Sequence, residues 1–294
     1  MRYSGFGAVA VLLLASNAPA KPTPAAKLLV PSGKWAVEYA KEMCVLNRKF
    51  GSGADEMLLA IKPAPNSDQA RIMVLRNGRS TDIRTGRAGV RFSDGSAPAY
   101  AMASSGWNDG KVLTAIDLPR SSLAPLIAGG RISIRFGPGL NHEFAPTGMA
   151  AAMQALATCE RDLLKGWGMS ESAQDAMADM PKGDANGLFK SDDYPDKLIE
   201  KGIQGSVGAL LTVDATGAVA ACRAIESSRT VELDVLTCAI IRKRAKYSPA
   251  IDKSGKAVPA MIYYRVQWMI EGGRRADYSM ATDVPPPPPV STAR

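Results

Sequence analysis

Histidine is almost missing from this chain: His142 is the only one among 294 residues. That scarcity excludes His-rich metal sites, and a Ser-His-Asp triad would have to be built on His142 alone. Asn141-His142-Glu143 follows a Gly-Pro-Gly turn, so His142 reads as a loop or strand-edge residue. Aromatics make up only 6% of the chain, and no long basic block is interleaved with them. The net charge of +8 is therefore read as solubility or as affinity for acidic protein or lipid surfaces, and nucleic acid is not expected as a partner. No CxxC pair occurs, which argues against a redox or zinc site. Gly51-Ser52-Gly53 lacks the remaining Gly and Lys of a phosphate loop, and the carboxylate pair Asp192-Asp193 falls where a solvated surface is expected. The chain is expected to be no enzyme and to need neither cofactor nor metal.

Charged residues at 22% and the hydrophobic set at 46% are ordinary globular proportions. Residues 1–20 read as an export signal: Arg2 supplies the positive start, Phe6 to Leu14 a short apolar run, and Ala18-Pro19-Ala20 a small-x-small cleavage site. The apolar run is well short of the roughly 20 residues that span a bilayer, so a membrane association is expected only if the segment stays uncleaved. Cleavage after Ala20 places the mature chain in the periplasm. In that oxidising setting the four cysteines, Cys44, Cys159, Cys222 and Cys238, imply two disulfides. Three connectivities are open, and Cys44 with Cys159 and Cys222 with Cys238 is the one that keeps each bridge inside one candidate domain.

The expected fold class is α+β in two domains. Over 27–169 the sequence reads as a mainly β domain, with strands at Met57 to Ile61, Arg71 to Leu75, Val90 to Phe92, Lys111 to Asp117 and Arg131 to Phe136. Pro146 opens a helix that carries Met149, Met153, Leu156, Leu163 and Leu164 at helical spacing, with Cys159 on or beside that face. Residues 170–191 show no sustained period and read as a linker. Residues 272–294, with prolines 285–289, read as a disordered Pro-rich tail.

Residues 192–271 read as a small domain in the order helix, strand, strand, helix, strand. Asp196 to Lys201 is a short helix ended by Gly202. Gly205 to Val213 alternates as a strand, Asp214-Ala215-Thr216-Gly217 makes a hairpin turn, and Ala218 to Ile225 returns. Thr230 is placed to cap a helix from Val231 to about Ala245, whose stripe Leu233, Leu236, Ile240 and Ile241 should lie on the sheet. In the last strand, Met261 to Ile270, residues Ile262, Tyr264, Val266, Trp268 and Ile270 face one way, and Tyr263, Arg265 and Gln267 the other. A bond between Cys222 and Cys238 would contribute about 3 kcal/mol to so small a domain.

Tyr194-Pro195, Gly202-Ile203-Gln204-Gly205-Ser206-Val207, Asp214-x-x-Gly217-x-Val219, Ser227-Ser228, Leu233-Asp234 and Ala245-Lys246-Tyr247-Ser248-Pro249-Ala250 together resemble the TonB C-terminal family. The resemblance covers about a quarter of the chain. It implies a periplasmic module that recruits a short peptide box of an outer-membrane receptor by strand addition on an uncovered sheet edge. It places the contact on the last strand, at Met261, Tyr263, Arg265 and Gln267, with Tyr194 and Pro195 nearby. Without a partner, Tyr194 reads as a packing aromatic, and Arg265 and Gln267 as solvated polar positions. The family's energy transducers also need a membrane helix and a long Pro-rich arm before this domain, and the sequence shows neither in that order. Transduction and dimerisation through the same edge stand as alternatives to peptide capture. Trp35, Cys44, Arg48-Lys49-Phe50-Gly51 and the helix bearing Cys159 are similar to the secreted invasion-associated locus B proteins, which implies a binding role for the first domain.

Overall fold

The computed structural model describes residues 25–40, 42–80, 84–107, 110–137, 139–183 and 187–270. The expected leader and the Pro-rich tail lie outside these residues. The fold is α+β, as the sequence pattern implies.

The first part of the chain forms strands β1 (Lys27–Leu29), β2 (Ala36–Ala40), β3 (Met43–Phe50), β4 (Met57–Pro63), β5 (Gln69–Asn77), β6 (Arg84–Phe92), β7 (Ala99–Trp107) and β8 (Lys111–Pro119). A single helical turn α1 (Ala124–Ile127), strands β9 (Ile132–Phe136) and β10 (Leu140–Phe144), and the long helix α2 (Met149–Gly166) follow. The ten strands make one sheet in the order β1-β10-β9-β6-β7-β8-β5-β4-β3-β2, antiparallel except for the β1–β10 pair. Alternation assigns the faces. Leu59, Ile61, Ile72, Val74 and Ile116 enter the main core, while Ala60, Met73 and Ala115 belong to a small cluster on the opposite face. Lys62, Arg71 and Asp117 stand in register across β4, β5 and β8, two residues further along that second face.

Helix α2 covers the main core with Met149, Met153, Leu156 and Leu163. The disulfide from Cys44 on β3 to Cys159 clips it there, with Cα atoms 6.0 Å apart. The indole of Trp35 and the guanidinium of Arg48 both donate to the carbonyl of Thr147, at 2.9 and 2.6 Å, and so fix the chain where α2 begins. Pro146 precedes this point, and the helix starts only after Gly148, whose φ of +73° turns the chain into it.

The stretch read as a linker holds secondary structure of its own. Ser170 caps α3 (Glu171–Ala176) by accepting the amide of Ala173. Strands β11 (Met177–Asp179) and β12 (Lys182–Gly183) then pair with later parts of the chain. Their short, polar sequences give no local signal, because both are ordered by long-range pairing.

The C-terminal part contains α4 (Asp196–Glu200), β13 (Gly205–Val213), β14 (Val219–Glu226), α5 (Val231–Arg244), the short strands β15 (Tyr247–Ser248), β16 (Ala250–Asp252) and β17 (Ala257–Val258), and β18 (Ala260–Trp268). β13 is central in the sheet β14-β13-β18. The unexpected short strands between α5 and β18 receive the preceding segment: β11 pairs with β16 and β12 with β15. Leu233, Ile240 and Ile241 of α5 are fully or nearly buried against Val207, Ala209, Leu211, Ile262 and Val266. Thr237, outside the expected stripe, is completely buried as well, because its hydroxyl accepts the indole N–H of Trp268 at 2.8 Å. Thr230 occupies the N-cap position but its side chain caps nothing. Asp234 instead gathers the hydroxyls of Ser227 and Ser228 and the amide of Ser228 at the start of the helix.

Two of the sequence motifs meet at Gly217. Its carbonyl accepts the amide of Tyr247 at 3.1 Å, its φ is +88°, and a Cβ there would lie 1.9 Å from the carbonyl oxygen of Tyr247. Only glycine fits both the turn and this contact. The second disulfide joins Cys222 on β14 to Cys238 on α5, with Cα atoms 5.5 Å apart.

Candidate functional site

An exposed strand edge offers a partner a row of N–H and C=O groups, so the two edges of the C-terminal sheet decide what it can do. β14 pairs with β13 through two register slips, at Gly208/Ala209 and Thr212/Val213. Such irregularities twist an edge and interrupt its ladder. β18 pairs with β13 without interruption from Ala260 to Trp268 and leaves a straight edge.

That straight edge is partly occupied by the chain itself. The amide of Tyr263 donates to the carbonyl of Pro65 at 3.3 Å, and the side-chain amide of Asn66 donates to the carbonyl of Met261 at 2.9 Å. Both groups lie in the loop between β4 and β5, where Asn66 takes the left-handed conformation with φ +55°. In an antiparallel strand the N–H and C=O of one residue point to the same side, and the sides alternate. The outward set is therefore Met261, Tyr263, Arg265 and Gln267, the positions on the last strand where the family resemblance implies a contact. The loop caps the first two, while Arg265 and Gln267 keep their backbone groups without a partner among the described residues.

Beside this open stretch lies a cleft of about 430 Å³ between the two domains, lined by Lys62, Gln69, Arg71 and Asp117 on one side and Tyr263, Arg265 and Gln267 on the other. Gln267 is exposed. Arg265 is not the solvated residue its place in the strand implies. Its side chain is only 14% exposed, donating to Glu226 at 2.6 Å and to the hydroxyl of Ser206 at 3.0 Å. Glu226, at the end of β14, also accepts Lys62 from the first domain. The ring of Tyr263 lies within cation–π reach of both cations, 5.8 Å from Lys62 and 5.7 Å from Arg265. Arg71 grips Asp117 in a two-pronged pair with both contacts at 2.7 Å.

Burial by itself would raise the pKa of Glu226, but the neighbouring charges of Arg265 and Lys62 outweigh it and bring it down to about 2. Lys62 moves down to about 7, first because it is buried and second because Arg265 stands beside it. Burial likewise pushes the Tyr263 hydroxyl up.

Tyr194 and Pro195 stand apart from this arrangement. The hydroxyl of Tyr194 donates to the carbonyl of Ile203 at 2.7 Å, and its ring meets Trp268 edge-on at 5.2 Å, which is a packing role. Pro195 supplies the carbonyl that starts α4. His142 lies on β10 opposite Ile134. Asp193 is paired with Arg244, and Gly51 sits in a turn. Among the described residues no cluster of His, Cys, Asp and Glu could hold a metal ion, and no helix is long and apolar enough to cross a membrane.

Lys62, Arg71, Asp117, Glu226 and the Pro65-Asn66 pair were not legible as site residues. The available signal was faint: Lys62 and Arg71 interrupt otherwise apolar strands, which marks them as buried charges without revealing their partners.

Residues 190–270 match the family described as Gram-negative bacterial TonB protein C-terminal. No curated protein and no solved structure matches the chain. The likeness of the first domain to invasion-associated locus B proteins finds no support in these comparisons.

Proposed function

We propose that this protein, whose residues 190–270 carry a TonB C-terminal domain, captures an extended segment of an envelope protein by strand addition at Arg265 and Gln267 of β18. Its place is the periplasm, in keeping with the domain and with the leader read in residues 1–20. The role is binding, and no reaction is involved.

The observation that carries the reading is the straight outer edge of β18, open at Arg265 and Gln267 and facing a cleft between the domains. Two open residues offer up to four backbone hydrogen bonds, each with a net value of about 1 kcal/mol. With side-chain contacts in the cleft, this supports weak and reversible capture, in the micromolar to millimolar range on the order of 4–8 kcal/mol. A partner strand long enough to run past Tyr263 must displace the Pro65-Asn66 loop.

NMR titration of the isotope-labelled chain with extended peptides should shift the amides of Arg265 and Gln267 first. Gln267→Pro removes an outward N–H that the fold itself does not use, so it should abolish binding while the protein stays folded. Shifts confined to β14, or unchanged binding by Gln267→Pro, would overturn the reading.

A further inference from the structure

The charges that meet at the cleft do not balance. Lys62, Arg71 and Arg265 bring three cations, all with side chains less than 15% exposed. Glu226 and Asp117 bring two carboxylates. Among the described residues, the charged and titratable groups that face Lys62 are Glu226 on β14, Tyr263 and Arg265 on β18, Arg71 on β5 and Asp117 on β8. Arg71 is committed to Asp117 by two hydrogen bonds, so Lys62 and Arg265 share the single charge of Glu226. A surplus cation held away from water is costly unless an anion arrives or the lysine gives up its proton.

We infer that the cleft selects partner strands bearing a side-chain carboxylate, which enters beside Lys62 and Arg265 as the third anion. The inference rests on strand addition at β18 and specifies which strands are taken. A side chain is favoured over a free chain terminus on geometric grounds. Arg265 stands on the face of the sheet that carries Tyr263, and Lys62 reaches that face from β4, where alternate side chains of an added strand would point. A terminal carboxylate continues the backbone line and stays in the plane of the ladder. Burial first, and the charge of Arg265 second, lower the pKa of Lys62 to about 7. An arriving carboxylate would draw the proton back, so binding and protonation should be linked.

The test uses the intact chain and end-blocked hexapeptides of alternating Val and Ser. One of two adjacent central positions carries Glu or Gln, so that one of the pair faces the cations, and a further Gln peptide keeps a free C-terminal carboxylate. Calorimetric titration at about pH 6 should show one Glu peptide binding roughly tenfold tighter than its Gln counterpart, as for a charge-assisted hydrogen bond. At about pH 9 most of that gap should close, because a tenfold gap corresponds to a rise of about one unit in the pKa of Lys62. Lys62→Met, which removes the surplus, should bring the Glu and Gln peptides to equal affinity at both pH values. Glu and Gln peptides bound equally at about pH 6 would overturn the charge selection and leave strand addition standing. The same result follows if the gain belongs only to the peptide with the free terminus. Binding by no peptide would overturn both. The pH comparison on the unmodified protein decides the matter even if Lys62→Met fails to fold.

Discussion

Glu226→Gln is the sharpest perturbation available, because it keeps the side-chain shape and deletes the one negative charge that two buried cations share. Glu226 accepts Arg265 at 2.6 Å and also Lys62, with its side chain 9% exposed. Its pKa is brought from 4.5 down to about 2 because Arg265 and Lys62 overcome the opposite pull of burial. A folded-state pKa below the unfolded value means stability that is complete above about pH 4.5 and drains away as the pH falls toward 2. At about 1.4 kcal/mol per unit, the contribution is roughly 3 kcal/mol. Deleting one member of a buried ion pair costs on the order of 3–5 kcal/mol, which is the same scale. Glu226→Gln should therefore lose about 3 kcal/mol at neutral pH in urea unfolding followed by tryptophan fluorescence. Adding Lys62→Met removes one of the stranded cations, so the double variant should be less impaired than the sum of the two single ones by more than about 0.5 kcal/mol. A loss below about 1 kcal/mol in Glu226→Gln, or simple additivity in the cycle, would show that these contacts do not hold the domains together.

At the other end of the pH scale, burial of charged Lys62 costs stability rather than adding it, and the cost is relieved as the pH rises. Its folded pKa of about 7 lies below the ordinary 10.5, so the unfolded chain binds more protons between those values and unfolding midpoints should rise as the pH climbs through that window. Gly217→Ala forces a side chain into a φ of +88° and against the Tyr247 carbonyl, and thermal unfolding should report a loss of at least about 2 kcal/mol. Removing the bridge between Cys222 and Cys238 as a double alanine variant should cost about 3 kcal/mol, and removing Cys44–Cys159, which spans 115 residues, up to roughly 5 kcal/mol, both readable by urea unfolding. Asn66→Gly keeps the left-handed turn but frees the carbonyl of Met261. It should destabilise by about 1 kcal/mol or less and tighten binding of peptides long enough to reach that position, as measured by calorimetry.

The sequence made the C-terminal domain far more legible than the first, and the reason is the range of the interactions. Gly205–Val213 and Val231–Arg244 declare themselves through local period and turn chemistry, and the family pattern ties them together. β3 and β7, by contrast, were not anticipated. Asn47, Arg48 and Lys49 break the apolar pattern of the one, and Ser104, Ser105 and Gly106 give the other the look of a turn. Both are strands because neighbours far along the chain complete their ladders. The site divides the same way. Alternation in a single strand groups the four outward residues of β18, and the family resemblance marks that strand as the contact edge. The cluster that makes the cleft chemically specific joins Lys62 to a residue 164 positions away. No local pattern encodes such a pairing. Thr237 shows the same limit on a smaller scale, since its burial is explained only by an indole 31 residues later.

On the proposed reading, the binding edge must stay open to one partner and closed to others, and this sheet meets the two demands at different places. On β14 the register slips and the exposed charge of Arg223 discourage any added strand. On β18 closure is achieved by a loop of the first domain, through one backbone carbonyl and one asparagine side chain. Those two hydrogen bonds have a combined net value of about 2 kcal/mol, little enough for a long, well-matched partner to displace them and enough to reject a short or ill-fitting one. The residues that form the cap and two of the cleft's three cations belong to the same β4–β5 hairpin, which carries Lys62, Pro65, Asn66 and Arg71. A partner that displaced the loop would therefore also disturb the contact between Lys62 and Glu226, and capture at the edge would be felt at the junction between the two domains.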